Sequence, residues 1–212
     1  MRVLIVVSVA AEKQAVIESL QDDGRFDVCV AGVGCVAAAS STSALLAGKQ
    51  YDLVINLGIA GGFVGRADIG TVVVADRMVA ADLGAETAEG FISLEQLQLG
   101  DSQIASDEKL ADRVLQALVR KSIPVQRAAI LTLSTVTGTE ETAVKLSNRM
   151  PDAVAEAMEG YGVAVAAVQH NLPVLEIRAI SNAIGKRDRS SWRIAEALDR
   201  LREVSLVLKE VV

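Results

Sequence analysis

Three polar side chains stand where apolar segments give way to turns: two carboxylates, which can take part in proton transfer, and one amide, which can hold a ligand by hydrogen bonds. Glu12 follows the run Val3–Val7 and the turn Ser8-Val9-Ala10. A carboxylate held there can take a proton from water. An acid in a first helical turn is also favoured by the helix dipole, so a capping role is the alternative. Glu159 opens the very apolar segment Gly160–His170. A charge at the mouth of such an element is costly to bury unless it meets hydroxyls or a cation, and a dipole partner is again the alternative. Asn182 lies in Arg178-Ala179-Ile180-Ser181-Asn182-Ala183-Ile184-Gly185, where a strand runs out. Its amide offers both a donor and an acceptor to a ligand, or simply a turn residue in a left-handed conformation.

The scarce residues narrow the chemistry further. The 212 residues include one His (His170), two Cys, three Pro and one Trp. Those counts exclude a two-His metal site, a zinc knuckle and a disulfide scaffold, and no metal or cofactor is expected. His170, before Asn171-Leu172-Pro173, is expected to close a helix, because no nucleophile pattern accompanies it. A formal net charge of −6 works against a general affinity for nucleic acid, so a small-molecule ligand is expected. The uncharged run Val28–Gly48 is broken by glycines and hydroxyl residues, and no membrane segment is expected. With reduced Cys29 and Cys35 at no motif spacing, a cytoplasmic protein is the plain reading.

Two glycine-bearing segments are candidates for ligand contact. Gly32-Val33-Gly34-Cys35-Val36-Ala37 has the G-x-G-x-x-A form of a dinucleotide-binding turn. The acid that such a site wants at the end of the following strand is missing, since Asn56-Leu57-Gly58 stands there, and a tight strand-to-helix turn is preferred. Leu57-Gly58-Ile59-Ala60-Gly61-Gly62-Phe63 reads as a loop at the carboxyl end of a strand, where glycines let the main chain approach a flat ligand.

The elements that must position these groups follow from hydrophobic periodicity. Val3–Val7, Phe26–Ala31, Leu53–Leu57, Thr71–Ala75, Val125–Leu131 and Val174–Ile180 are apolar on both faces, as strands covered on both sides must be. Between them, Ala11–Leu20, Val36–Leu46, Asp107–Arg120, Glu140–Asn148 and Gly160–His170 have helical spacing. A last helix carries Ile194, Leu198, Leu201, Val204 and Leu208 on one stripe, with Ser190 or Ser191 as its cap. The fold class is therefore α/β: one domain over residues 1–212, with a mixed, mostly parallel central sheet and helices on both faces. Aromatics are only 3% of the chain, so the core must be built from small aliphatic side chains. Asp82–Ser106 breaks the rhythm and reads as a surface excursion towards a ligand or a partner subunit.

Taken together, the segments resemble the purine nucleosidase and nucleoside phosphorylase family, most closely its methylthioadenosine/adenosylhomocysteine nucleosidase branch. The likeness rests on A-x-E at Ala10–Glu12, G-x-G-x-x-A-A at Gly32–Ala38, N-x-G-x-A-G-G at Asn56–Gly62, the segment Asp68–Val74, the pair Met158-Glu159 and R-A-I-S at Arg178–Ser181. It implies that Glu12 activates water, that Met158 lies on the sugar and Glu159 binds its hydroxyls, and that position 182 meets the purine. Substrate contacts are implied for Val9, Ile59, Ala60, Gly61, Phe63, Val136, Thr137, Met158 and Ser181. Asn182 departs from the Asp of the nucleosidase pattern and favours a 6-oxopurine such as hypoxanthine over adenine. Thr135–Thr139 and Gly185–Arg189 resemble a hypoxanthine-releasing member of the family. The implied partner is a nucleoside, cleaved by water in a homo-oligomer. Phosphorolysis is the nearest rival, but Arg66 and Arg187 lack the family's phosphate context. A nucleoside-binding protein without turnover is the other, and such a protein has no need of Glu12.

Overall fold

The computed structural model describes residues 1–212. In chain order the elements are β1 (Val3–Val7), α1 (Ala10–Leu20), β2 (Phe26–Val30), α2 (Cys35–Gly48), β3 (Leu53–Gly62), β4 (Val72–Ala80), β5 (Gly84–Thr87), β6 (Gly90–Ser93), α3 (Leu94–Leu97) and β7 (Gln103–Ala105). They continue with α4 (Glu108–Arg120), β8 (Val125–Thr132), α5 (Glu140–Arg149), β9 (Ala153–Ala157), α6 (Gly160–Gln169), β10 (Val174–Ala183) and α7 (Ile194–Val211). No helix is long and apolar enough to cross a membrane.

Eight strands form one mixed sheet in which β1–β2, β1–β3, β3–β10, β4–β8 and β8–β9 run parallel, and β4–β10, β3–β9 and β4–β7 antiparallel. Because β3 pairs with both β10 and β9, the strands β3, β10, β4, β8 and β9 close on themselves, and β1 and β2 extend the sheet beyond that ring. The pleat divides the core. In β1, Val3, Ile5 and Val7 face the side covered by α1, α4 and α7, and Leu4 and Val6 face the side covered by α2 and α6. The small-residue core lets layers approach closely: a Cβ on Gly162 of α6 would lie 3.1 Å from the Cys35 sulfur of α2.

Several boundaries differ from expectation. Gly58–Gly62 is not a loop but the second half of β3, and β10 continues past Ile180 to Ala183 with a bulge at Ser181. β9 was not anticipated. Asp82–Ser106 contains the β5–β6 hairpin, α3, and β7 on the edge of β4. Neither Ser190 nor Ser191 caps the last helix; both lie in a 3₁₀ turn, and α7 starts from Arg193 with no side-chain cap. His170 closes α6, its N–H bonded to the Ala167 carbonyl.

Candidate active site

The strand ends of β1, β3, β9 and β10 surround a cavity of about 330 Å³, within the range of small-molecule sites. Its wall includes Val9, Glu12, Ile59, Ala60, Gly61, Val136, Met158, Glu159, Ser181 and Asn182, all expected near a ligand, and also Glu156, Arg178, Arg187 and Trp192. Two expected residues lie elsewhere. Phe63 is buried in an apolar cluster with Leu131 and Ile184, its ring 5.5 Å from the Arg66 guanidinium, so it offers no face to this cavity. Thr137 is buried and spends both its N–H and its hydroxyl on Glu156.

Glu12 is 3% exposed and sits in the first turn of α1. Oε2 accepts the N–H groups of Ser8 (2.8 Å) and Val9 (3.2 Å), the second being the cap of its own helix. Oε1 accepts the N–H of Ile59 at 2.9 Å. The capping and site readings of this residue therefore coexist: one oxygen caps α1, and the other reaches across to β3 and keeps a lone pair for a ligand.

That reach is possible because β3, paired with β10 along one edge, has no strand on its other edge there. β1 pairs with β3 only as far as Asn56, and β9 takes over only at Gly61. In the interval, the Ile59 N–H goes to Glu12 and its carbonyl accepts from Arg178 Nη1 at 3.4 Å. Gly58 is required by the same crowding, because a Cβ there would collide with Arg178 Nη1 and lie 2.7 Å from Glu12 Oε1.

Arg178 is the hub of the site. It is fully buried, donating to Glu176 Oε1 (2.8 Å) and Asn56 Oδ1 (2.5 Å) and pairing with Glu159 Oε2 at 3.4 Å. Burial works against its charge, but the carboxylates of Glu176, Glu159 and Glu12 outweigh it and raise its pKa. Glu176 lies behind the cavity with one oxygen unpartnered, and burial pushes its carboxyl up despite the guanidinium beside it. Gly160 packs directly on that carboxylate, leaving no room for a side chain.

Glu159 explains the G-x-G turn. Its Oε1 accepts the N–H of Gly34 at 3.1 Å, and Gly34 has φ +95°, a conformation suited to glycine. The turn that resembled a phosphate cradle holds a carboxylate of the chain itself. Asn182 follows the Ser181 bulge, a device that re-aims side chains beside active sites. Its Oδ1 accepts from Ser181 Oγ at 2.9 Å and its Nδ2 donates to the Ala183 carbonyl at 3.0 Å, leaving one N–H free. Glu156 is 5% exposed; burial raises its carboxyl pKa against two bonds from Thr137, at 2.8 and 2.6 Å.

Arg66 is spent on the carbonyls of Met150, Ala153 and Ser147, and has no place in the cavity. Arg187 does line it, its guanidinium 5.0 Å from the Trp192 ring. Trp192 supplies an aromatic surface on the cavity wall. As the one Trp of the chain, standing just beyond the polar segment after β10, it was the available signal.

Comparison with known proteins gives the chain a family. The sequence pattern of the phosphorylase superfamily matches residues 13–212. A futalosine hydrolase from Streptomyces coelicolor is 42% identical, over 95% of this chain and 92% of its own. One from Acidothermus cellulolyticus is 44% identical, over 93% of this chain and 86% of its own. Among solved structures, futalosine hydrolase of Helicobacter pylori superposes with a TM-score of 0.87 at 18% identity, covering 99% of this chain and 98% of that one, a likeness of fold.

Proposed function

The chain belongs to the phosphorylase superfamily, and on that premise we propose that it is a futalosine hydrolase, cleaving the N-glycosidic bond of futalosine to release hypoxanthine and dehypoxanthine futalosine. The observation that carries the reaction is the convergence of Glu12, Glu159 and Asn182 on one cavity, with a buried guanidinium behind the first two. Identity of 42–44% to futalosine hydrolases, over 93–95% of this chain, supports the substrate.

The bond to the base stretches first, so the anomeric carbon gains oxocarbenium character and the base takes the bonding pair. Water then adds on the opposite face: its oxygen bonds to the anomeric carbon and its proton passes to Glu12, in the inverting manner of glycosidases. Three main-chain donors fix Glu12, so this base is positioned before substrate arrives. Glu159, placed by Gly34 and Arg178, binds a ribose hydroxyl and adds negative field at the developing cation. Asn182 cannot give up a proton, so it stabilises the departing base by hydrogen bonds, worth about 3 kcal/mol for a preorganised donor, while solvent protonates it. Trp192 and Met158 supply the flanking surfaces. We place the reaction in menaquinone biosynthesis, in the cytoplasm, performed by a homo-oligomer to which the Asp82–Ser106 excursion contributes.

The test supplies futalosine, inosine and methylthioadenosine, with and without phosphate, and follows the free base. Fastest release from futalosine, indifferent to phosphate, is expected. Faster release from methylthioadenosine overturns the substrate, and an absolute phosphate requirement overturns hydrolysis. Glu12→Gln should keep substrate binding and lose about 10²–10⁴-fold in kcat, the usual contribution of a general base; unchanged turnover removes Glu12 from the mechanism.

A further inference from the structure

The charges on the cavity floor balance one another, and those at its mouth do not. Glu12, Glu159 and Arg178 are 3%, 5% and 1% exposed and form the floor, where the guanidinium meets Glu176 and Glu159. Val9, Val33 and Val136 are exposed on the same wall, as is Arg187, and Trp192 is half-buried among them. These residues make the mouth. Arg187 forms no ion pair there: Glu156 is taken up by Thr137, and Asp188, next in the chain, accepts the N–H and hydroxyl of Ser190. Lys186–Arg189 sets three cations against that one acid, in a chain whose formal net charge is −6. Positive charge is thus gathered where the cavity opens.

An exposed arginine is ordinarily a solvated one. This one is held in place. Its own N–H donates to the Gly138 carbonyl at 3.3 Å, and the Arg193 N–H donates to the Ser181 carbonyl at 2.8 Å, so the segment is tied to both sides of the cavity. The guanidinium lies 5.0 Å from the centre of the Trp192 ring, and that of Arg189 lies 5.9 Å from it. A guanidinium stacked on an indole keeps its in-plane N–H groups for another partner. A fork of donors beside an indole and three valines suits a ligand group that is both aromatic and anionic. The ring packs on the apolar wall, and the anion meets the fork.

Futalosine carries such a group, because a benzoate ends the chain that replaces the ribose 5′-hydroxyl. With the base at Asn182 and the ribose hydroxyls at Glu159, that chain leads to the mouth. We infer that Arg187 and Trp192 form a second subsite, which binds the benzoate end of the substrate and selects it over nucleosides whose 5′-group is neutral. The inference rests on the futalosine reading above and gives the non-base half of the substrate its partners.

The test follows hypoxanthine release from futalosine and from its methyl ester, in which the benzoate is uncharged, by wild-type protein, Arg187→Gln and Arg187→Lys. Wild-type kcat/KM should be at least about tenfold higher for the acid than for the ester, chiefly through KM. That ratio should fall to about one in Arg187→Gln and be partly kept in Arg187→Lys, which retains the charge but not the fork. A merely structural Arg187 would lower acid and ester alike and preserve the ratio. That result, or equal wild-type use of acid and ester, overturns the inference and leaves hydrolysis of futalosine standing. Inorganic phosphate has the same anionic chemistry, so base release from inosine is measured with and without it. Phosphate-stimulated release that is lost in Arg187→Gln assigns Arg187 to phosphate and overturns the inference too. Failure of wild-type protein to cleave futalosine overturns both readings together.

Discussion

Replacing Arg178 by Met should damage the fold and the chemistry by separable amounts. The substitution deletes the donors to Glu176 and Asn56 and the cation beside Glu159, while Met roughly preserves the volume. Glu176, at 0% exposure, is left with no partner at all, since its other oxygen already has none. Stranding one member of a buried ion pair costs about 3–5 kcal/mol. In a chain of this size each kcal/mol moves Tm by about 2–4 °C, so a fall of about 6–20 °C is expected. Replacing both charges by apolar groups, as in Arg178→Met with Glu176→Leu, removes the stranded carboxylate and should recover most of that loss. It restores no cation to Glu159 or Glu12, so hypoxanthine release should stay at least about 100-fold below wild type. Thermal melts and a base-release assay on the three proteins decide the matter. A single variant within about 1 kcal/mol of wild type, or a double variant that melts no higher than the single, would refute the account of Arg178 as the buried counter-charge of the site.

Gly58→Ala drives a methyl group against Arg178 Nη1 and Glu12 Oε1; kcat should fall at least about tenfold and stability by about 1–3 kcal/mol, and normal turnover would show that the two groups yield easily. A pH effect is expected at the edge of the sheet. Bonds from Ser93 and from the Ser102 N–H and hydroxyl hold the Glu95 carboxyl at about 2, below its ordinary 4.5. A lowered carboxyl lends stability that is complete above its unfolded value and is lost as pH falls through its folded one, so the segment 93–102 should loosen between pH 4.5 and 2. Amide exchange at Ser102, corrected for intrinsic rates, should quicken across that window; equal protection at both ends would argue against the carboxylate's role.

Much of the architecture was legible because buried parallel strands are apolar on both faces and most helices are not, so β1, β2 and every helix but α3 fell within a few residues of expectation. β9 was hidden by its composition: Ala-Val-Ala-Glu-Ala lacks a β-branched run and carries a charge, and tertiary pairing overrides that weak propensity. Gly58–Gly62 read as a loop because glycine usually marks one. Here each glycine marks a close approach instead, Gly58 to Arg178 and Glu12, Gly62 to the Ala67 carbonyl, and the strand continues through them. Glu12, Glu159 and Asn182 could be found by resemblance to a family pattern. Glu156 could not, because its place opposite Asn182 exists only once β9 closes on β3. Phe63 stands just past the end of β3, and its ring packs into the cluster with Leu131 and Ile184, a contact that a loop reading does not contain.

The interval of β3 between Asn56 and Gly61, which neither β1 nor β9 reaches, also bears on how the main chain is satisfied. A buried N–H or carbonyl without a partner is costly, and a gap between two strands would leave both. Here the Ile59 N–H is taken by a carboxylate and its carbonyl by a guanidinium. The residues proposed to open a glycosidic bond therefore also stand in for a missing length of strand.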